Sequence, residues 1–218
     1  ESALKRTINH QIDSLNISLI RLSKCTKKDS AKIQFSKCRA IYKKTEPFVE
    51  YYFQGFCRRI NGPALPDVKI DDNVVNDPTG FQVIEEFIFP GYNPKSKAEL
   101  LKEMGILSAN LKRLDKVSQT NEFTDSHVFD AMRLEVFRII TLGITGFDSP
   151  IAQKSIPEAA SALESIEKYY KIYADNSADE SFQKVLKTIK KGKEYLKMNT
   201  DFNAFDRAFF IREIANPL

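Results

Sequence analysis

The side chains best placed for chemistry lie in one short segment, Pro78-Thr79-Gly80-Phe81-Gln82-Val83-Ile84-Glu85-Glu86-Phe87. Gln82 and Glu85 are i and i+3, so a helix through this segment sets both on one face. On a bundle helix, a pair at that spacing can present two ligands to one metal. Glutamine is a weak, neutral ligand, which counts against a transition metal here. The bland role for such a pair is a buried hydrogen-bonding one. Glu46 and Glu50, i and i+4 on a helix upstream, are the carboxylates that could join Gln82 and Glu85, with Arg133 set to neutralise the group beside Asp130 or Glu135. Elsewhere the chemistry is sparse. His10 sits on the polar side of one helix and His127 in the first turn of another, and neither has a second His or Cys at ligand spacing. The cysteines Cys25, Cys38 and Cys57 cannot all pair within one chain. Cys38 falls on an apolar stripe as a small hydrophobe, and Cys25 has Cys38 and Cys57 as alternative disulfide partners. The chain contains no G-x-S-x-G, P-loop, H-E-x-x-H or C-x-x-C-H motif, hence no complete catalytic or cofactor site of its own.

The elements that must position these residues read as helices throughout. Leu4, Ile8, Ile12, Leu15, Leu19 and Leu22 recur at spacings of three and four and predict a first helix from about Leu4 to Cys25. Phe35, Cys38, Tyr42, Thr45, Val49, Tyr52 and Phe56 predict a second from about Ser30 to Ile60, kinked near Lys43–Glu46 by Pro47 but still one element. Asn61-Gly62-Pro63 stops it. The stretch from there to Pro78 is polar and aperiodic, the longest loop in the chain, with room for at most an incidental strand pair.

Thr79 is the expected cap of a short helix, Gly80 to about Phe89. Ser96 with Glu99, Ser155 with Glu158, and Ser177 with Glu180 read as capping boxes. Thr124 or Asp125 and then Asp201 are the expected caps of two further helices. Stripes follow each start: Leu100, Met104, Leu107, Leu111 and Leu114; Phe129, Met132, Val136 and Ile140; Ile156, Ala159, Leu163, Ile166, Tyr170 and Tyr173; and Phe182, Val185, Ile189 and Leu196. The last helix carries Phe202, Phe205, Phe209, Phe210 and Ile211, more apolar girth than one bundle face needs, so a further domain is expected to cover part of it. The fold class is all-α: an antiparallel helical bundle, 1–218 as one domain, with possible halves 1–122 and 123–218.

Composition agrees. The chain is 42% hydrophobic and 28% charged, the balance of a globular protein rather than a disordered one. A net charge of +4 is spread along it, and the densest run, Lys187, Lys190, Lys191 and Lys193, is broken by Thr188, Ile189 and Gly192, which suits a solvated helix face rather than a nucleic-acid stripe. No apolar stretch approaches the roughly eighteen residues of a transmembrane helix. The chain starts at Glu1 on an amphipathic segment, which reads as a processed or truncated piece whose export signal has been removed.

Gly80-Phe81-Gln82-Val83-Ile84-Glu85 resembles the G-x-H-x-x-E motif of the imelysin-like family, with Gln82 where the family has His. The resemblance implies an all-helical fold of two bundle halves with about seven or eight helices, export to the bacterial envelope, and a link to iron uptake. A broader set of segments resembles the helical region ahead of the haem domain in some bacterial di-haem cytochrome c peroxidase-like proteins. They are Tyr51-Tyr52-Phe53, Asn61-Gly62-Pro63, the Pro78–Glu86 run, Phe89-Pro90, Leu142-Gly143-Ile144-Thr145-Gly146-Phe147-Asp148-Ser149-Pro150, Ser155-Ile156-Pro157-Glu158-Ala159, Phe205–Glu213 and Asn216-Pro217-Leu218. That likeness implies a non-catalytic accessory module of a periplasmic or envelope protein. Its partner would be a C-terminal haem domain or an envelope protein, and any haem c would sit in that separate domain rather than here. The alternative reading is an imelysin-like metal- or ligand-binding domain using Gln82, Glu85 and nearby Glu46 or Glu50. A peptidase, an activity sometimes assigned to imelysin-like proteins, ranks last, because the chain offers no nucleophile–base pair and no complete set of zinc ligands.

Overall fold

In the computed structural model, which describes residues 3–174 and 180–218, the apolar stripes become the inner faces of a helical bundle. The helices are α1 (Ala3–Ser23), α2 (Lys28–Tyr52), α3 (Gln54–Ile60), α4 (Phe81–Ile88), α5 (Lys97–Thr120), α6 (Asp125–Arg138), α7 (Ser155–Ala174), α8 (Glu180–Met198) and α9 (Arg207–Phe210). Wider π-type turns, Ile139–Gly143 and Ile211–Ala215, extend α6 and α9. Among the described residues the only strands are β1 (Asp67–Lys69) and β2 (Val74–Asn76), an antiparallel hairpin inside the 62–78 loop. Among the described residues no helix is long and apolar enough to cross a membrane.

The fold is organised around α2. It packs on α1, α6 and α7, and α3 and α4 close against it and α5. The short connection 24–27 forces α1 and α2 to run antiparallel. All six expected apolar positions of α1 are buried, as are all five of α5. A helix with neighbours on several sides must bury several rows, and α2 does: Phe35, Cys38, Tyr42 and Val49 form one, and Arg39, Lys43 and Glu46 lie beside it, equally buried.

Several local expectations are corrected. Residues 28–60 form two helices, not one kinked helix, and the break is at Phe53 (φ −130°, ψ 44°), with Pro47 accommodated inside α2. Phe53 buries its ring at the corner, and the Cys57 thiol donates to Val49 O at 3.3 Å across the break, sharing that carbonyl with Phe53 N–H. Thr79 is not the cap of α4. Gly80 is, at φ +101°, where a Cβ would come within 2.6 Å of Ile60 O, so only glycine lets α4 start against α3. The Ser96 box does not form, because a 3-10 turn, Pro94–Ser96, already leads into α5 and Ser96 makes no side-chain cap bond. Thr124 occupies the cap position of α6 without a side-chain bond. Glu158 turns inward to a buried partner instead of back to Ser155. The Ser177–Glu180 box lies outside the described residues. Asp201 closes a turn, accepting from Asn203 N and Ala204 N, while Asp206 caps the last helix by accepting from Phe209 N at 2.9 Å.

The inner row of α6 is Val128, Ala131, Met132, Glu135 and Ile139; of the expected stripe Met132 is buried, while Phe129, Val136 and Ile140, each one residue past this row, are half-buried. That small rotation puts the Glu135 carboxyl in the core. At the other end of the chain, Phe205 and Phe210 are buried while Phe202 and Phe209 are half-buried. The Phe202 ring lies under the Arg207 guanidinium, 4.5 Å away, and Phe209 stacks on Tyr195 at 4.7 Å. Phe205 and Phe210 are thus covered within this chain, and Phe202 and Phe209 are covered in part.

Candidate functional site

The sequence row Arg39, Lys43, Glu46 and Glu50, spaced four, three and four, follows one line along α2. Because α2 is central, that line meets other elements instead of water. Arg39 forms a bidentate pair with Glu158 of α7, Nε to Oε1 at 3.0 Å and Nη2 to Oε2 at 2.6 Å. It also donates to Asn61 Oδ1 and, at 2.9 Å, to Asp148 O. Lys43 Nζ bridges Glu46 at 2.5 Å and Asp148 at 2.7 Å. Arg138 of α6 reaches Glu46 at 3.3 Å, Glu50 at 2.9 Å and Glu135 at 3.8 Å. Asn61 Nδ2 completes the mesh with a 3.1 Å bond to Asp148 Oδ1.

Charges this deep are tolerable only when paired. Burial opposes the charge on Arg39 and Lys43, yet Glu158 for one and Asp148 for the other outweigh it and hold both cations firmly protonated. Burial likewise pushes Asp148 up, but Lys43 and Arg39 pull it well below the usual carboxylate range. Glu135 goes the other way: burial first, then the neighbouring Glu46 charge, raise it far above an ordinary carboxyl. Its Oε2 and the Arg138 Nε, 3.8 Å apart, have no hydrogen-bond partner.

Gln82 and Glu85 are both buried on α4, facing the turn that follows α6. Gln82 Nε2 donates to Phe147 O at 3.1 Å. Glu85 Oε1 accepts from Ser149 Oγ at 2.7 Å and from Ala152 N at 2.9 Å, and burial raises its pKa despite those bonds. That turn is held from the far side by Gly146 (φ +92°), where a Cβ would meet the Phe202 ring at 2.6 Å, and by Arg207 Nε on Ile144 O at 2.7 Å.

The expected metal ligands do not converge. Glu85 Oε1 accepts from Ser149 and Ala152 while its Oε2 is enclosed without a partner, Glu46 is shared by Lys43 and Arg138, and Glu50 pairs with Arg138 through Oε1. Among the described residues no three His, Cys, Asp or Glu side chains are grouped as metal ligands. Neutralisation comes from Arg138, whereas Arg133 lies out in solvent with Asp130 3.8 Å away. His10 and His127 are exposed, the latter beside the Tyr51 and Tyr52 rings. The cysteines are free thiols. Cys38 is pushed up to about 11 by burial, and burial with the Glu50 charge pushes Cys57 higher, so neither is a nucleophile at neutral pH.

What the structure does bring together is Glu50 with Gln82, on the walls of one open cleft of about 760 Å³ between α2, α3, α4 and the turn after α6. Its floor is polar: Glu50, Asn61, Gln82, Arg138 and Asp148. Its mouth is apolar: Leu65, Leu142, Phe147, Pro150 and Ile151, with Phe147 69% and Leu65 62% exposed. A concave, largely apolar wall with a few fixed polar groups is the ordinary form of a small-ligand site. The sequence reading missed Arg39, Lys43, Asn61, Arg138 and Asp148. The signal available was the charged row running beside the apolar stripe of α2. Comparison of the chain with protein-family models and with curated proteins yields no match.

Proposed function

We propose that this chain is a non-catalytic helical module that binds a small organic ligand in the cleft over its buried charge network. The observation that carries this reading is the cleft itself: an exposed apolar mouth, Phe147 and Leu65 above all, opening onto polar groups fixed by ion pairs. Free surface of that kind is favourable to cover, and the rigid floor lowers the ordering cost of binding. Metal binding through Gln82 and Glu85 is not part of the proposal, since their bonds to the turn leave no convergent ligand set. The wider setting is taken from the sequence resemblance: an accessory region of an exported, periplasmic di-haem peroxidase-like protein, with haem c on a separate domain.

A fragment library screened by thermal shift tests the binding reading. We expect hits that compete for one site and weaken in Phe147→Ala and Leu142→Asn, with iron, copper, zinc and calcium giving no saturable shift. A screen without hits, or hits indifferent to both substitutions, would overturn it. The accessory setting has its own test: the reading frame beyond Leu218 should encode C-x-x-C-H motifs, and a stop codon there would remove it.

A further inference from the structure

The charge network beneath the cleft does not balance. Arg39, Lys43 and Arg138 are its cations; the four acids Glu46, Glu50, Asp148 and Glu158 face them, and Glu135 beside them holds its proton. Arg138 alone is shared by Glu46, Glu50 and Glu135. Both cations that line the cleft are already engaged, Arg138 in this way and Arg58 with Asp67 at 3.1 Å. Two of the acids, Glu50 and Asp148, reach the cleft surface, and Glu86 adds a third on the rim. An anion entering here would meet surplus carboxylate and no uncommitted cation.

A second observation is independent of that excess. Gln82 is 7% exposed and lines the cleft, and its amide nitrogen is fixed by Phe147 O, which can only accept. The amide orientation is therefore settled, and the Gln82 carbonyl oxygen, which takes no hydrogen bond from the described residues, is the amide atom left open at the cleft wall. An acceptor at a cleft wall can exchange water for an N–H of a bound ligand.

We propose, building on the binding role above, that the cleft takes a ligand with a protonated amine head and an apolar body, the amine held by Glu50 and the Gln82 carbonyl oxygen and the body by Leu142, Phe147 and Ile151. The Phe147 face, exposed at the mouth, can lie against the body or beneath the cation. Glu50 supplies a further signature. Burial, with Glu46 beside it, makes Glu50 hold its proton longer than an ordinary carboxyl, although Arg138 and Lys43 oppose this and the Cys57 thiol leans on it. An arriving ammonium ion favours the carboxylate, so binding releases a proton and strengthens as pH rises through the Glu50 titration.

The experiment is calorimetric titration of the whole chain with phenethylamine, phenethyl alcohol and phenylpropionate, in buffers of different ionisation enthalpy. The expected result is saturable amine binding with proton release, the alcohol about tenfold weaker or worse, and no heat from the acid. Glu50→Gln, checked for fold by circular dichroism, should weaken the amine about tenfold and abolish the proton release, since Arg138 keeps Glu46 in the variant. Phe147→Ala, at an exposed position, should weaken amine and alcohol by the same factor. Equal or tighter binding of the alcohol or the acid would overturn the amine assignment while leaving a ligand site in place, as would fragment hits in the cleft from other classes with the amine silent. Amine binding indifferent to both Glu50→Gln and Phe147→Ala would overturn it as well. Silence from all three compounds together with an empty fragment screen would bring down both readings.

Discussion

Two rows of polar residues are buried in this bundle, and they are satisfied in opposite ways. On α4, Gln82 and Glu85 spend their hydrogen bonds on backbone atoms and one hydroxyl of the turn at 147–152, so the pair fastens one short helix to one turn. On α2, Arg39, Lys43 and Glu46 are answered mainly by charged side chains from α6, α7 and the 148 turn. The first arrangement uses neutral or shareable groups and asks little of distant elements. The second ties three parts of the bundle together, and each charge depends on a partner far away in sequence. Buried ion pairs of this sort do not add much stability over apolar packing, but they penalise misassembly, because any wrong packing strands a charge.

The largest effect should come from stranding one. Arg39→Met removes the guanidinium from Glu158, Asn61 and Asp148 O at once and should cost about 3–5 kcal/mol in urea unfolding. Replacing Arg39 and Glu158 together by Met and Leu should recover most of that loss. A single-variant cost below about 1 kcal/mol would mean that the α2 row is no more demanding than the α4 pair. Next in size is Glu85→Ala, which leaves Ser149 Oγ and Ala152 N without their acceptor and should cost about 1–3 kcal/mol. Glu85→Gln keeps one acceptor oxygen and should lose less than half as much. If Gln proves as costly as Ala, Glu85 acts through its charge and the contrast between the rows collapses.

How far this was legible follows from what periodicity reports. The stripes of α1 and α5 face one way and were read correctly, residue for residue. Even the incidental strand pair in the 62–78 loop was foreseen from the aperiodic, proline-containing stretch. Gln82 and Glu85 were legible because a short helix bounded by Gly80 and Pro90 leaves few faces to choose from, and both are buried. The charged row of α2 was not, since a helix surrounded by neighbours buries charges that a two-sided pattern assigns to solvent. Glu135 was hidden by a one-residue error in the inner face of α6, and Glu158 by a capping box that its bond to Arg39 pre-empts. Asp148 sits in a turn, where no periodicity exists to mark it, and only the tertiary fold brings it to Lys43.

The smallest effect, and the sharpest in sign, concerns the one carboxyl of the charged network that the cations fail to satisfy. Glu135 is 1% exposed, and burial and Glu46 raise its folded pKa well above the unfolded carboxyl value. Between those two values the folded state holds a proton that the unfolded chain has lost, so stability falls as pH rises through that window. Asp148 runs the other way: its folded value is depressed, so its stabilisation is present above the ordinary carboxyl range and is lost as pH falls through the folded value. Together they place maximum stability at mildly acidic pH, with Glu135 responsible for part of the decline above it. Glu135→Gln removes that titration while keeping the shape and a donor toward Glu46. Its unfolding free energy in urea should match the wild type near the ordinary carboxyl pKa and exceed it at mildly alkaline pH by on the order of 1 kcal/mol. A variant less stable than the wild type at alkaline pH would show that Glu135 is ionised and paired with Arg138 across 3.8 Å, and that the network holds one more satisfied charge than its geometry indicates.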